Sequence, residues 1–182
     1  MDGIEIAVRW TPGATSRAEE FATGRDLLRQ TAAAVLASAA STVVISAVCP
    51  DCGGEHGQPT TSGAFLSLTR APGVTIAVAS AAGPVGVDVE LRDGSPDRER
   101  AILQLTGVGS LQHWTRVEAV LKADGRGLRV DPSLVLVEGD LATVADTDVT
   151  YRLHTPSVDD SLVVTVASAV STSRQPRHGG LE

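Results

Sequence analysis

Two periodicities divide the chain. From residue 24 to 40 an alanine-rich run with leucines predicts a helix, and at Ser41-Thr42-Val43-Val44-Ile45 the composition turns β-branched, which predicts a buried strand over 42–48. Further strands are expected around Phe65–Leu68 and Val74–Ser80, at Val85–Glu90, and near Ser133–Val137, Thr150–His154 and Leu162–Ala169. Trp114 to Ala123 contains no Gly or Pro, and Trp114, Val117, Val120 and Leu121 recur at helical spacing. Asp124-Gly125-Arg126-Gly127 should stop that helix, because glycine reaches backbone conformations closed to other residues.

Carboxylates sit on two of these elements. In Val85-Gly86-Val87-Asp88-Val89-Glu90 the side chains alternate, so Val87 and Val89 face a core while Asp88 and Glu90 share the opposite face. Two carboxylates so close resist joint ionisation unless a cation neutralises them, and an all-oxygen set suits Mg²⁺. A solvated edge strand accounts for the same alternation. On the helix, Glu118 and Lys122 are four residues apart and share a face, an arrangement equally found in surface ion pairs.

Taken together, Val85 to Glu90 and Trp114-Thr115-Arg116-Val117-Glu118-Ala119-Val120-Leu121-Lys122-Ala123 resemble the two signature motifs of the Sfp-type 4′-phosphopantetheinyl transferases. Upstream, Cys52-Gly53-Gly54-Glu55-His56-Gly57-Gln58-Pro59 is similar to that family's H-G-K/R-P segment, and Phe65-Leu66-Ser67-Leu68-Thr69-Arg70-Ala71 to its S-L-S-H-S segment. Four motifs in the family's order carry the resemblance. Gln58 departs from the family's Lys or Arg, Arg70 from its His, and Val117 from the first lysine of its K-E-A triplet.

The resemblance implies an α+β fold of two pseudo-symmetric halves, each a helix plus antiparallel strands, with the active site in the cleft between them. The halves would be 1–84, carrying coenzyme A-binding segments, and 85–170, carrying the metal and catalytic motifs; residues 171–182 form a polar tail expected to be disordered. Mg²⁺ would be held by Asp88, Glu90 and Glu118, with Glu118 and Lys122 catalytic. Coenzyme A, the co-substrate, would meet His56, Gln58, Thr69 and Arg70. Arg25 and Arg29, one helical turn apart, are candidates for its 3′-phosphate, although each singly also fits solvated helix surface. The implied reaction moves the 4′-phosphopantetheine arm of coenzyme A to a serine of an apo acyl or peptidyl carrier protein. The alternatives are a degenerate relative that binds without transfer and a zinc-dependent interaction module.

Composition narrows the classes. At 182 residues the chain can bury about 70% of its unfolded surface, so it needs no disulfide framework. A net charge of −7 and the lack of a basic stripe argue against nucleic acid. The acidic N-terminus lacks a leader's apolar core, and the weakly charged run 31–48 reads as helix then strand rather than a membrane span, so a cytoplasmic monomer is expected. Cys49, Cys52 and His56 offer three ligands where a structural zinc site needs four, which favours two reduced cysteines in a turn over a metal.

Overall fold

The computed structural model describes residues 4–10, 16–92 and 95–170. In chain order the elements are β1 (Ile4–Trp10), α1 (Arg17–Val35), β2 (Thr60–Thr61), β3 (Ala64–Ala71), β4 (Val74–Ser80), β5 (Val85–Leu91), α2 (Pro96–Thr106), α3 (Leu111–Asp124), β6 (Val135–Glu138), β7 (Leu141–Val144), β8 (Thr150–His154) and β9 (Leu162–Val170). The fold is therefore α+β, with three α-helices and two antiparallel sheets among the described residues. The first sheet has strand order β1-β4-β3-β2 and the second β5-β9-β8-β7-β6.

Strand alternation decides how these layers stack. On β4, Val74, Ile76 and Val78 pack against Val85, Val87 and Val89 of β5 and Leu162, Val164 and Val166 of β9, so one apolar layer lies between the sheets. The opposite side of β4, Ala77 and Ala79, meets Leu27, Leu28 and Ala32 of α1. On the far side of the second sheet, Ala167 joins Val117, Val120 and Leu121 of α3. Small residues at Ala77, Ala79 and Ala167 let helix and sheet approach closely, in keeping with a chain that is only 3% aromatic.

Several elements differ from the sequence expectations. The first helix runs from Arg17 to Val35 rather than over 24–40; Ser16 starts it through a capping box with Glu19, and Leu36 ends it. The expected strand 42–48 does not form. Its place is taken by a 3₁₀ turn at Ala40–Thr42 and a single bridge between Ser46 and Thr60. Val44 and Val48 are left exposed there, so the β-branched composition marks extended chain without a partner. Strand β1, which completes the first sheet along β4, and strand β7, which pairs β6 with β8, were not anticipated. Helix α2 fills part of the interval between Glu90 and Trp114. The expected tail, 171–182, lies outside the described residues. No helix among those described is long and apolar enough to cross a membrane.

Candidate functional site

The site begins at a close contact between a strand and a helix. A Cβ added to Gly86 on β5 would lie 2.0 Å from the carbonyl oxygen of Ala119 and 2.5 Å from the amide nitrogen of Ala123. Only glycine leaves room for α3 at that distance. Two residues along β5 the strand presents Asp88, and the next turn of α3 presents Lys122. Ser110 caps the start of α3 by accepting from the His113 amide at 3.1 Å, and Gly125, with φ of 85°, closes it by donating its N–H to the Leu121 carbonyl at 3.2 Å.

Lys122 spends its three donors inside the protein. Its Nζ lies 2.6 Å from Asp88 Oδ1, 3.1 Å from the Val87 carbonyl and 3.3 Å from Thr69 Oγ1. Thr69 in turn donates to Asp88 Oδ1 at 3.1 Å, and Ser67 Oγ accepts from the Val87 amide at 3.1 Å, so β3 and β5 are tied together at this point. β5 is an edge strand of its sheet, but Asp88 is only 6% exposed, so it is not the solvated position that its alternation also fitted. Asp88 Oδ2 is buried and has no hydrogen-bond partner among the described residues. Such an oxygen is costly unless something charged or donating meets it.

Asp88, Glu90, Glu118 and Lys122 all line one cleft of about 810 Å³, together with Thr69, Arg70, Arg98 and Trp114. Burial pushes the Glu118 carboxyl above its ordinary range, opposed by Lys122 and reinforced by the negative charges of Asp88 and Glu90. Glu90 is held in an ion pair by Arg98 of α2, a residue the sequence reading did not single out. Three carboxylates line this cleft, and an all-oxygen set suits a small hard cation such as Mg²⁺, but their oxygens are not drawn together here. Among the described residues only Cys49, Cys52 and His56 bring three ligand atoms within 4.8 Å of one another, so a cation would have to displace Lys122 or Arg98 to gather the carboxylates. Asp88, Glu90 and Glu118 would be its protein ligands.

The expected cofactor contacts divide between two cavities. Arg70 lines the carboxylate cleft and also a neighbouring cavity of about 360 Å³, whose walls include Arg25, His56, Glu55 and Phe21. The Arg70 guanidinium lies over Gly24, where a Cβ would come within 2.2 Å of its Nη2, and donates to the Glu20 carbonyl at 3.3 Å. Desolvation lowers its pKa, with Glu20 opposing. Arg25 stacks over the Phe21 ring at 4.9 Å and pairs with Glu55 at 3.2 Å. Arg29 is half-buried on the same helix and does not line this cavity. Gln58 donates from Nε2 to the Lys122 carbonyl at 3.3 Å, so it bridges to α3 rather than standing free as a ligand contact.

The loop before Gln58 gathers Cys49, Cys52 and His56. Their ligand atoms all lie within 4.8 Å of one another, and both thiols are free. Cys52 Sγ is 3.0 Å from His56 Nε2. Backbone amides of Asp51 and Cys52 pull the Cys49 thiol below its ordinary pKa. His56 thus lies beside the cavity of Arg25 and Arg70, but its ring nitrogen is turned to a thiol. Compared with protein-family models and with curated proteins, the chain matches none.

Proposed function

We propose that this chain is a 4′-phosphopantetheinyl transferase built as two pseudo-symmetric halves, acting on coenzyme A and a serine of an apo carrier protein. One observation carries the reading: Asp88, Glu90, Glu118 and Lys122 line one cleft, with Asp88 Oδ2 buried and unpaired among the described residues. Coenzyme A would lie along the two cavities that Arg70 joins, its pyrophosphate toward the carboxylate cleft and its 3′-phosphate toward Arg25 and Arg70. Mg²⁺ at Asp88, Glu90 and Glu118 would neutralise pyrophosphate charge and polarise the phosphorus for attack.

The chain's own residues do the rest. The serine Oγ forms a bond to the β-phosphorus, the bond to the bridging oxygen breaks, and 3′,5′-adenosine bisphosphate leaves with the electron pair. Glu118 accepts the serine proton, and the burial that raises its pKa makes it a stronger base for that transfer. Lys122 holds Asp88 in place through Oδ1, leaving Oδ2 directed elsewhere. To reach the departing phosphate, Lys122 must give up one of its three contacts.

That last requirement also favours a second reading, a homologue that binds coenzyme A or a carrier protein without transfer, since Gln58 too is engaged within the protein. Incubation with coenzyme A, Mg²⁺ and a panel of apo carrier proteins, read by intact mass, separates the two. A carrier heavier by one phosphopantetheine arm supports transfer. Saturable coenzyme A binding with no carrier modified supports the second reading. Asp88→Ala should abolish the mass change while the circular dichroism spectrum is kept, and unchanged turnover in that variant would remove the metal from the mechanism.

A further inference from the structure

We propose that Cys49, Cys52 and His56 bind one Zn²⁺, which fastens the loop from Val48 to Pro59 against α1 and the end of α3. The assignment stands apart from the transferase reading and uses none of its residues except His56.

Thiolate and imidazole ligands select zinc over the hard cation that suits the carboxylate cleft. Tetrahedral zinc with bonds of about 2.0–2.3 Å places its ligand atoms roughly 3.5 Å apart, so a trio already within 4.8 Å needs only small side-chain adjustments to close on an ion. The backbone is folded for it. The Cys49 amide donates to the Gly54 carbonyl at 2.8 Å, the Gly53 amide to the Cys49 carbonyl at 2.9 Å, and the Gly54 amide to Cys52 Sγ at 3.4 Å. Gly57 brings the chain back so closely that a Cβ there would lie 2.4 Å from the Val48 carbonyl oxygen.

A fourth position remains to be filled. Asp51, whose Oδ2 lies 4.0 Å from Cys49 Sγ, or a water would take it. Two thiolates and one carboxylate around Zn²⁺ leave one negative charge, and Arg129 stands 3.3 Å from Asp51 to offset it.

The loop is where such a fastener has an effect. Among the described residues from 43 to 59 there is no helix or strand beyond the single bridge at Ser46. Yet this loop reaches both halves: Glu55 pairs with Arg25 of α1, Asp51 with Arg129, and Gln58 with the Lys122 carbonyl. Each of these contacts alone is exposed and weak. A metal bridge between residues 49 and 56 would hold them in register together. It would also reassign His56, whose Nε2 cannot ligate zinc and contact a cofactor at once.

The test uses the full chain, purified reduced and without a metal-affinity tag. Elemental analysis should find about one zinc per chain, and Co²⁺ added to the zinc-free protein should give a thiolate-to-cobalt charge-transfer band. Cys52 is exposed, so Cys52→Ser keeps the core intact; it should lose the band and weaken zinc at least 100-fold. His56→Ala should weaken zinc 10-fold or more. Glu118→Gln should keep zinc stoichiometry, which separates this site from the carboxylate cleft. Substoichiometric zinc together with no cobalt band in the reduced protein would overturn the proposal. So would a band that survives Cys52→Ser.

Discussion

The carboxylate cleft at Asp88 and the thiol loop at Cys49 both hold ligating side chains, but by different means. In the cleft each group projects from a regular element: Asp88 and Glu90 from β5, Glu118 and Lys122 from α3. Strand and helix periods fix where those side chains point, and one close contact at Gly86 brings the two elements together. In the loop, turns and a few crossing hydrogen bonds do that work. Cys49 is covered while Cys52 and His56 are exposed. A site on packed elements resists rearrangement, whereas a loop site depends on what binds it.

The largest effect that would sharpen this contrast is chemical. Glu118→Gln should lower carrier-protein modification about 10²- to 10⁴-fold while coenzyme A affinity, read by calorimetry, changes little. The same variant has a stability signature. Because burial raises the folded pKa of Glu118, its stabilising contribution is complete below the unfolded value near 4.5 and is lost as pH rises through the folded pKa. Denaturation across that window should show wild-type stability falling relative to Glu118→Gln. If the two chains track each other, burial of Glu118 has no energetic consequence.

Next in size is Gly86→Ala. Forcing a methyl against the α3 backbone should cost about 3 kcal/mol or more by denaturant unfolding, and a loss below about 1 kcal/mol would mean that the strand-helix contact is pliable. Smaller again is Arg70→Ala, expected to weaken coenzyme A about 10-fold and dephospho-coenzyme A less, as befits one charge-assisted contact. Equal weakening of both would move Arg70 from the 3′-phosphate to the pyrophosphate. Smallest is Cys52→Ser in the presence of chelator, where stability should change by less than about 0.5 kcal/mol because the thiol is exposed. A larger loss without metal would break the comparison, since the loop would then be held by its own packing.

Some features that escaped the sequence reading left signals in it. Ser16-Arg17-Ala18-Glu19 is a capping-box pattern that sets the true start of α1, and Ile4-Glu5-Ile6-Ala7-Val8 alternates as a strand should. Leu141 to Val144 is too short to stand out from its flanking turns. At 42–48 the opposite happened. The residues favour a strand, but β2 offers Ser46 only one bridge, and propensity without a partner does not make a sheet.

By itself the sequence determined what period and spacing encode: α+β elements, the shared face of Asp88 and Glu90, and that of Glu118 and Lys122, because those directions follow from backbone geometry alone. Only the tertiary structure decided that the faces meet, since that depends on Gly86 admitting α3 and on layers packed from distant parts of the chain. It also decided that Asp88 is buried with one oxygen unpaired among the described residues, that Arg98 takes Glu90, and that Gln58 and His56 spend their polar atoms on Lys122 and Cys52. Those outcomes turn on partners remote in sequence or on loop geometry, which no local period specifies.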